Sequence, residues 1–449
     1  MRRNSSRRSF LALALTAGLV ATATAGIPSA EAESTPRSWS GGSLATAAIA
    51  DLQAFWARTM PDVYGHEYRA IPDDRLFPYS SDDPPPSCGR GGSQTPYEEV
   101  AGNAFYCSED DFVAWDAEQL FPSLERRFGD FAVALVLAHE WGHAIQARID
   151  STISATIYLE NQADCFAGAW AHHVETGDDT SLSFDAADLD TALGGYLEFR
   201  DPPGIDPSQQ GAHGNAFDRV SAFQDGFEEG ADQCATYEND PPPVTESPYT
   251  SYEDQATGGD VSLADAVDLV TKDLDEYWAR ELGARSPVAD VVATPRGDAS
   301  CDGSTDGGVL VDGVVYCTAD RTVVYEPDVL SRVYDSTGDF GAGMLLAAEW
   351  SVGAQHQLGQ PIQGTAGRLL ADCLTGTWAG DVAEGVRARS GSAPGGSQLS
   401  LSPGDLDQGI ATFVALGGRD EERGSAFSRV AAFRRGFFKG VDACTSKTR

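Results

Sequence analysis

Between positions 131 and 148 apolar residues recur around most of the helical circumference, the pattern of a helix buried on all sides. Asp130 stands at its start as a candidate N-cap. Asp150-Ser151-Thr152 breaks the pattern, and 154–174 reads as a second helix returning antiparallel to the first. Upstream, 105–107 and 112–115 are aromatic and β-branched, which predicts a short hairpin or edge strand. An amphipathic helix ends near Phe55-Trp56-Ala57-Arg58. Helix, irregular segment with short strands, then helices: the order predicts a mainly α fold with short β elements, in the α+β class.

The same order then repeats. Phe55-Trp56-Ala57-Arg58 returns as Tyr277-Trp278-Ala279-Arg280, and Tyr106-Cys107 as Tyr316-Cys317. Ala163-Asp164-Cys165 and Gly168 return as Ala371-Asp372-Cys373 and Gly376. Gly214, Phe217, Arg219 and Phe223 return as Gly424, Phe427, Arg429 and Phe433. An order kept at a near-constant offset reads as a tandem duplication. The proline-rich, acidic stretch 238–260 reads as the linker, which places domains at 40–237 and 261–449. The second copy is expected to pack against the first.

The eight cysteines obey the repeat: Cys88, Cys107, Cys165 and Cys234 answer to Cys301, Cys317, Cys373 and Cys444. Four per copy allow three pairings. Nearest neighbours, Cys88 with Cys107 and Cys165 with Cys234, are the expectation, with the same pattern in the second copy.

Charge and the N-terminus place the chain. The formal charge is −37 over 449 residues, with lysine confined to Lys272, Lys439 and Lys447. Such a surface disfavours nucleic acid and anionic lipid as partners. Residues 1–32 have a basic start (Arg2, Arg3, Arg7, Arg8), a diluted apolar run and an Ala30-Glu31-Ala32 cleavage pattern, the form of a signal peptide. Ser6-Arg7-Arg8-Ser9-Phe10-Leu11 has the twin-arginine form. Cleavage near Ala32 would remove four Arg and one Glu, net +3, and take the charge from −37 to −40. No later apolar run approaches the roughly 20 residues of a membrane span. The expectation is a secreted protein, a compartment that suits paired cysteines.

The chemistry lies in the first buried helix. His139-Glu140-Trp141-Gly142-His143 is an HExxH pattern, and two histidines four residues apart share one helical face and can bind one Zn²⁺. On the second helix Glu160 and Asp164 are likewise four apart. Glu160 would complete a His₂Glu ligand set, Asp164 would fix a ligand histidine's tautomer, and Glu140 would act as general base. The aligned second copy has Ala348, Val352 and Arg368 in place of His139, His143 and Glu160, while Glu349 and Asp372 remain. His213, replaced by Arg423, is a candidate oxyanion donor, against the alternative of an exposed loop histidine. His172 and His173 read as surface. A metzincin would need glycine and histidine where Gln146 and Ile149 stand, and no nucleophile elbow or Walker loop occurs.

These motifs, with 103–107, His139 to Gln146, Glu160 to Trp170 and His213-Gly214, resemble the bacterial neutral zinc metallopeptidase family over most of 45–235. The resemblance implies a gluzincin-like domain in which His139, His143 and Glu160 hold one zinc and Glu140 is the catalytic base. The second copy departs at every ligand and is expected to be degenerate. The reading is a secreted peptidase with a single site and a peptide or protein substrate. Its rivals are a non-catalytic binding or adhesion protein built from two such domains, and a zinc amidase acting on cell-wall peptides.

Overall fold

The computed structural model describes residues 41–177, 180–283, 285–295, 301, 308–311, 313–389, 399–416 and 424–445. Residues 1–32, expected from the sequence to be a signal peptide, lie outside the described residues. The fold is mainly helical, with two small sheets among the described residues. Contacts divide the chain into two compact units: one runs to Gly195 and resumes over Ala222–Pro243, and the other joins Tyr196–Ser221 to the chain from Val244 onward. Residues 196–221 thus go with the second unit, whereas the sequence places the break between the copies at 238–260.

In chain order the first elements are α1 (Gly41–Tyr64), a 3₁₀ turn (Asp73–Arg75), β1 (Leu76–Tyr79), α2 (Tyr97–Val100), β2 (Ala104–Cys107), β3 (Phe112–Asp116) and α3 (Leu120–Phe128). They are followed by α4 (Asp130–Arg148), α5 (Thr156–Thr176), α6 (Ala186–Glu198), α7 (Ala216–Glu229) and α8 (Ala231–Thr236). Asp130 falls inside the first turn of α4. The cap position belongs to Gly129, whose φ of 77° suits glycine far better than aspartate. Helix α4 is buried on nearly every side, from Phe131 through Gln146, and α5 from Ile157 through Val174. The two pack along each other, with α1 against α4. Trp170 Nε1 donates to Asp51 of α1 at 2.8 Å, which seats the deepest aromatic of α5.

The sheet of this unit has the order β1-β3-β2. β1 runs parallel to β3, with Leu76 opposite Val113, and β2 runs antiparallel, with Ala104 opposite Trp115. β2 is an edge strand lying on α4. Its far side joins an aromatic cluster of Tyr79, Tyr97, Phe105 and Phe112. Disulfides join Cys88 to Cys107 and Cys165 to Cys234. At the α5–α7 crossing, a Cβ on Gly168 would lie 1.9 Å from the Phe223 carbonyl oxygen, and one on Gly226 would lie 1.8 Å from that of Cys165. Only glycine allows this backbone-to-backbone approach.

The later elements are α9 (Tyr252–Thr257), α10 (Leu263–Glu281), β4 (Asp290–Ala293), β5 (Gly308–Val311), β6 (Val314–Cys317), β7 (Thr322–Tyr325), α11 (Pro327–Thr337), α12 (Asp339–Gln357), α13 (Gly364–Arg389), α14 (Asp405–Leu416) and α15 (Ala426–Thr445). Their sheet has the order β4-β7-β6-β5, again with one parallel pair, β4 with β7, and one antiparallel pair, β6 with β7. β5 is additional and pairs along the other edge of β6. Trp378 Nε1 donates to Asp273 at 2.9 Å as Trp170 does to Asp51. A Cβ on Gly376 or Gly436 would meet the carbonyl oxygens of Phe433 and Cys373 at 1.9 and 1.8 Å. Disulfides join Cys301 to Cys317 and Cys373 to Cys444.

Candidate metal centre

Helix α4 carries His139, Glu140 and His143, and α5 carries Glu160 and Asp164. The turn between the helices is held from outside by Glu238, whose carboxylate accepts from Ser151 Oγ (2.6 Å) and Thr152 N (2.9 Å). Gln146 Nε2 adds a direct tie, donating to the Leu159 carbonyl at 2.7 Å. The consequence is convergence. His139 Nε2 lies 3.2 Å from Glu160 Oε2, and His143 Nε2 lies 3.5 Å from Glu160 Oε1. One donor atom from each of the three residues falls within 4.8 Å of the others.

Each imidazole is fixed through its other nitrogen. His139 Nδ1 lies 2.8 Å from Asp164 Oδ1, and His143 Nδ1 lies 2.9 Å from Gln146 Oε1. With Nδ1–H engaged by an oxygen acceptor in both rings, Nε2 is the nitrogen that faces Glu160, and loss of its proton to an arriving metal frees the lone pair there. Asp164 is fully buried, Glu160 and Glu140 are nearly so, and His143 is the most exposed of the group at 21 % of its side chain. The centre therefore opens on the His143 side.

Burial sets the charges against one another. It would depress the His139 imidazole, but the Asp164 and Glu160 carboxylates overcome this and push it up to about 10. Burial likewise opposes charge on His143, and Glu160 outweighs it. Burial would raise the Glu160 carboxyl, yet the two imidazoles hold it well below the usual carboxylate range. Glu140 moves the other way: burial raises it above an ordinary glutamate.

The donor set fits zinc. Ligand bonds of 2.0–2.1 Å in a tetrahedron put neighbouring donors about 3.4 Å apart; the two imidazole-to-carboxylate spacings, one to each oxygen of Glu160, lie near that edge, and the three donors together lie within 4.8 Å. Two neutral imidazoles and one carboxylate is also a donor set typical of a catalytic zinc with one open position. Glu140 is oriented by the sheet, since the backbone N–H of Tyr106, on the outer edge of β2, donates to its Oε2 at 2.8 Å. The β2–β3 turn is anchored in turn to the end of α4. Asp111, at φ 52°, accepts from Tyr106 Oη (2.8 Å) and pairs with Arg148 (3.2 Å).

The same frame recurs without ligands in the second unit. Tyr316 N donates to Glu349 Oε2 at 2.7 Å, and Gln355 Nε2 donates to the Gly367 carbonyl at 2.8 Å. These bonds match residue for residue those of Glu140 and Gln146, and set Ala348, Val352 and Arg368 where His139, His143 and Glu160 stand. Asp372, the counterpart of Asp164, instead holds Arg429 through two bonds of 2.8 and 3.0 Å.

His213 lies in the loop before α7, within the second unit, and is not part of the converging group. Its Nδ1 lies 3.2 Å from Asp201 Oδ1, and its backbone N–H and that of Gly214 donate to the same carboxylate. His172 is exposed, in agreement with the pattern of the sequence. His173 is half-buried, with its ring 5.2 Å from that of Phe55 and its Nε2 3.7 Å from Asp51. The sequence reading had no role for the Tyr106 N–H, the Asp111–Arg148 pair or the side chain of Gln146. The first is a backbone group without a residue signature, the second joins positions remote in sequence, and the third depends on which way an amide faces between His143 and the Leu159 carbonyl.

Two buried helices, one bearing HExxH and the other its completing carboxylate, define a mainly helical metallopeptidase-type domain. The family model described as "Putative neutral zinc metallopeptidase" matches residues 13–237, half of the chain, and the chain belongs to that family. Among curated proteins it is similar to the uncharacterized protein YpfJ of Escherichia coli strain K12, at 28% identity over 176 residues, covering 33% of this chain and 57% of that protein. It is also similar to the uncharacterized proteins Rv2575 of Mycobacterium tuberculosis and Mb2605 of Mycobacterium bovis, at 27% over 152 residues, covering 28% of this chain and 52% of theirs. The chain thus spans just over half the length of these relatives. No solved structure matches it significantly. The family implies zinc. Among the described residues no helix is long and apolar enough to cross a membrane, and the four disulfides are compatible with an exported protein.

Proposed function

We propose that the protein is a secreted zinc peptidase with one active centre, formed by His139, His143 and Glu160 as ligands and Glu140 as general base. The observation that carries this reading is the convergence of two tautomer-fixed imidazoles on one buried carboxylate, with Glu140 adjacent on the same helix. When bound there, zinc supplies a Lewis acid that polarises the scissile carbonyl and acidifies water. Glu140, raised by burial and aimed by the Tyr106 N–H, takes the proton of the attacking water and returns it to the leaving amine. Asp164 keeps the His139 ring oriented through the reaction. His213 is proposed, on its sequence context alone, as a donor to the developing oxyanion, to be tested by kcat of a His213→Ala variant.

The second unit is read as a duplicated, non-catalytic copy. Its recurring Glu349, Gln355 and Trp378 contacts support common descent, and the loss of all three ligand residues supports inactivity. The leader at 1–32 and export by the twin-arginine route remain proposals from sequence. The test is hydrolysis of a diverse peptide mixture by the purified full chain. Cleavage that a chelator abolishes and zinc restores supports the peptidase. A metal-replete protein that cleaves nothing would favour the binding-protein alternative.

A further inference from the structure

Gln146 lies one turn beyond His143 on α4 and is 6 % exposed. Its amide cannot be turned around. The Leu159 carbonyl, 2.7 Å away, can only accept, so Nε2 must face it and Oε1 must face the imidazole. An oxygen acceptor 2.9 Å from His143 Nδ1 requires that nitrogen to carry a hydrogen, so Nε2, on the Glu160 side, is the nitrogen that gives up its proton to a metal. Leu159 is the residue before Glu160. One amide therefore sets the tautomer of a residue on α4 and ties it to the turn of α5 that supplies the carboxylate.

The second unit separates these two roles. Gln355 is fully buried, and its Nε2 donates to the Gly367 carbonyl (2.8 Å), the residue before Arg368, and to that of Pro361 (2.6 Å). The helix-to-helix tie is kept. Three residues before it, in the place of His143, stands Val352, and Gln355 Oε1 is buried with no hydrogen-bond partner among the described residues. A buried acceptor left unpaired costs on the order of 1–3 kcal/mol.

We propose that Gln146 is a positioning residue for His143: its Oε1 holds the ring in the Nδ1–H form and presents Nε2 to the metal, and Gln355 is the same device left without its histidine. The proposal rests on the zinc reading of the first unit and extends it to a residue outside the ligand set.

The paired variants Gln146→Met and Gln355→Met test it in the full chain, because each removes the backbone tie at similar volume and only the first removes a histidine partner. The readout is the zinc dissociation constant by chelator competition, with thermal midpoints measured alongside. Gln146→Met is expected to raise the constant about 10- to 100-fold, the range seen when a ligand's hydrogen-bond partner is lost, whereas Gln355→Met leaves it unchanged while losing stability. Unchanged zinc affinity in Gln146→Met, or equal weakening in both variants, would overturn the proposal. A wild-type chain that binds no zinc would overturn the parent reading as well, so the two failures are told apart by the wild type. If Gln146→Met does not fold, imidazole ¹⁵N spectra of the zinc-loaded wild type decide. The proposal requires a protonated Nδ1 and a metal-bound Nε2 on His143, and the reverse assignment refutes it.

Discussion

Replacing Glu140 by glutamine separates chemistry from structure, and the second unit supplies a matched control. Glu140 and Glu349 are both buried, and each accepts one backbone N–H, from Tyr106 at 2.8 Å and from Tyr316 at 2.7 Å. Glutamine keeps an acceptor oxygen for that N–H and removes the charge. A hydrogen bond to a charged group contributes about 1.5–3 kcal/mol and a neutral one about 0.5–1.5, so the loss is on the order of 1 kcal/mol. Relief of carboxylate burial opposes it. Each variant should then stay within a few degrees of the wild-type midpoint, given about 2–4 °C per kcal/mol for a unit of this size. The catalytic effect should differ sharply. Loss of a general base costs about 10²–10⁴ in rate, or roughly 2.7–5.4 kcal/mol of barrier. The assay is kcat/KM on a fluorogenic peptide identified from the mixture, with zinc content and circular dichroism in parallel. Glu140→Gln should keep zinc and lose at least 10² in rate, and Glu349→Gln should keep both. Near-wild-type turnover by Glu140→Gln would remove that residue from the mechanism, and a comparable loss in Glu349→Gln would show that the effect is structural.

Asp164→Asn replaces a carboxylate 2.8 Å from His139 Nδ1 with an amide oxygen; zinc affinity should fall about 10- to 100-fold, and unchanged competition with a chelator would contradict the role given to Asp164. Gly168→Ala places a methyl 1.9 Å from the Phe223 carbonyl oxygen. The α5–α7 crossing must open by more than an ångström, overpacking of this kind costs about 1–3 kcal/mol or more, and a midpoint equal to wild type would mean that the two helices do not cross this closely. In the second unit burial raises several acids, among them Asp218 to about 7, Glu246 to about 8 and Asp407 to about 6. A folded-state pKa above the unfolded one means that the folded chain binds more protons between the two values, so stability is lost as pH rises through roughly 5 to 8. Thermal melts should therefore show a falling midpoint from pH 5.5 to 8.5, with Asp218→Asn flattening the slope, and a midpoint that rises over that interval would contradict the burial of these groups.

Helical spacing made the centre legible in the sequence. His139 and His143 fall on one face because four residues make about one turn, and the same spacing links Glu160 to Asp164. The repeat read in the sequence added its own contrast at Ala348, Val352 and Arg368. Long-range pairing was less legible. The parallel β1–β3 pair brings together residues 37 positions apart, Leu76 and Val113, and no local pattern announces it. Helix starts were blurred for a local reason: Asp130 has the chemistry of a cap, but the chain enters α4 through Gly129 in a conformation only glycine takes readily. His172 and His173 read alike as surface, because both lie two turns beyond Asp164 and align with Gly380 and Asp381 in the repeat. One step of about 100° along the helix turns His173 towards Phe55 and Asp51 of α1.

The ligand set itself is tested most directly by metal analysis of the dialysed full-length protein beside its His143→Ala and Glu160→Ala variants. The account predicts close to one zinc per chain in the wild type, with tight binding lost in either variant. No zinc in the wild type, a second equivalent, or undiminished zinc in Glu160→Ala would contradict it.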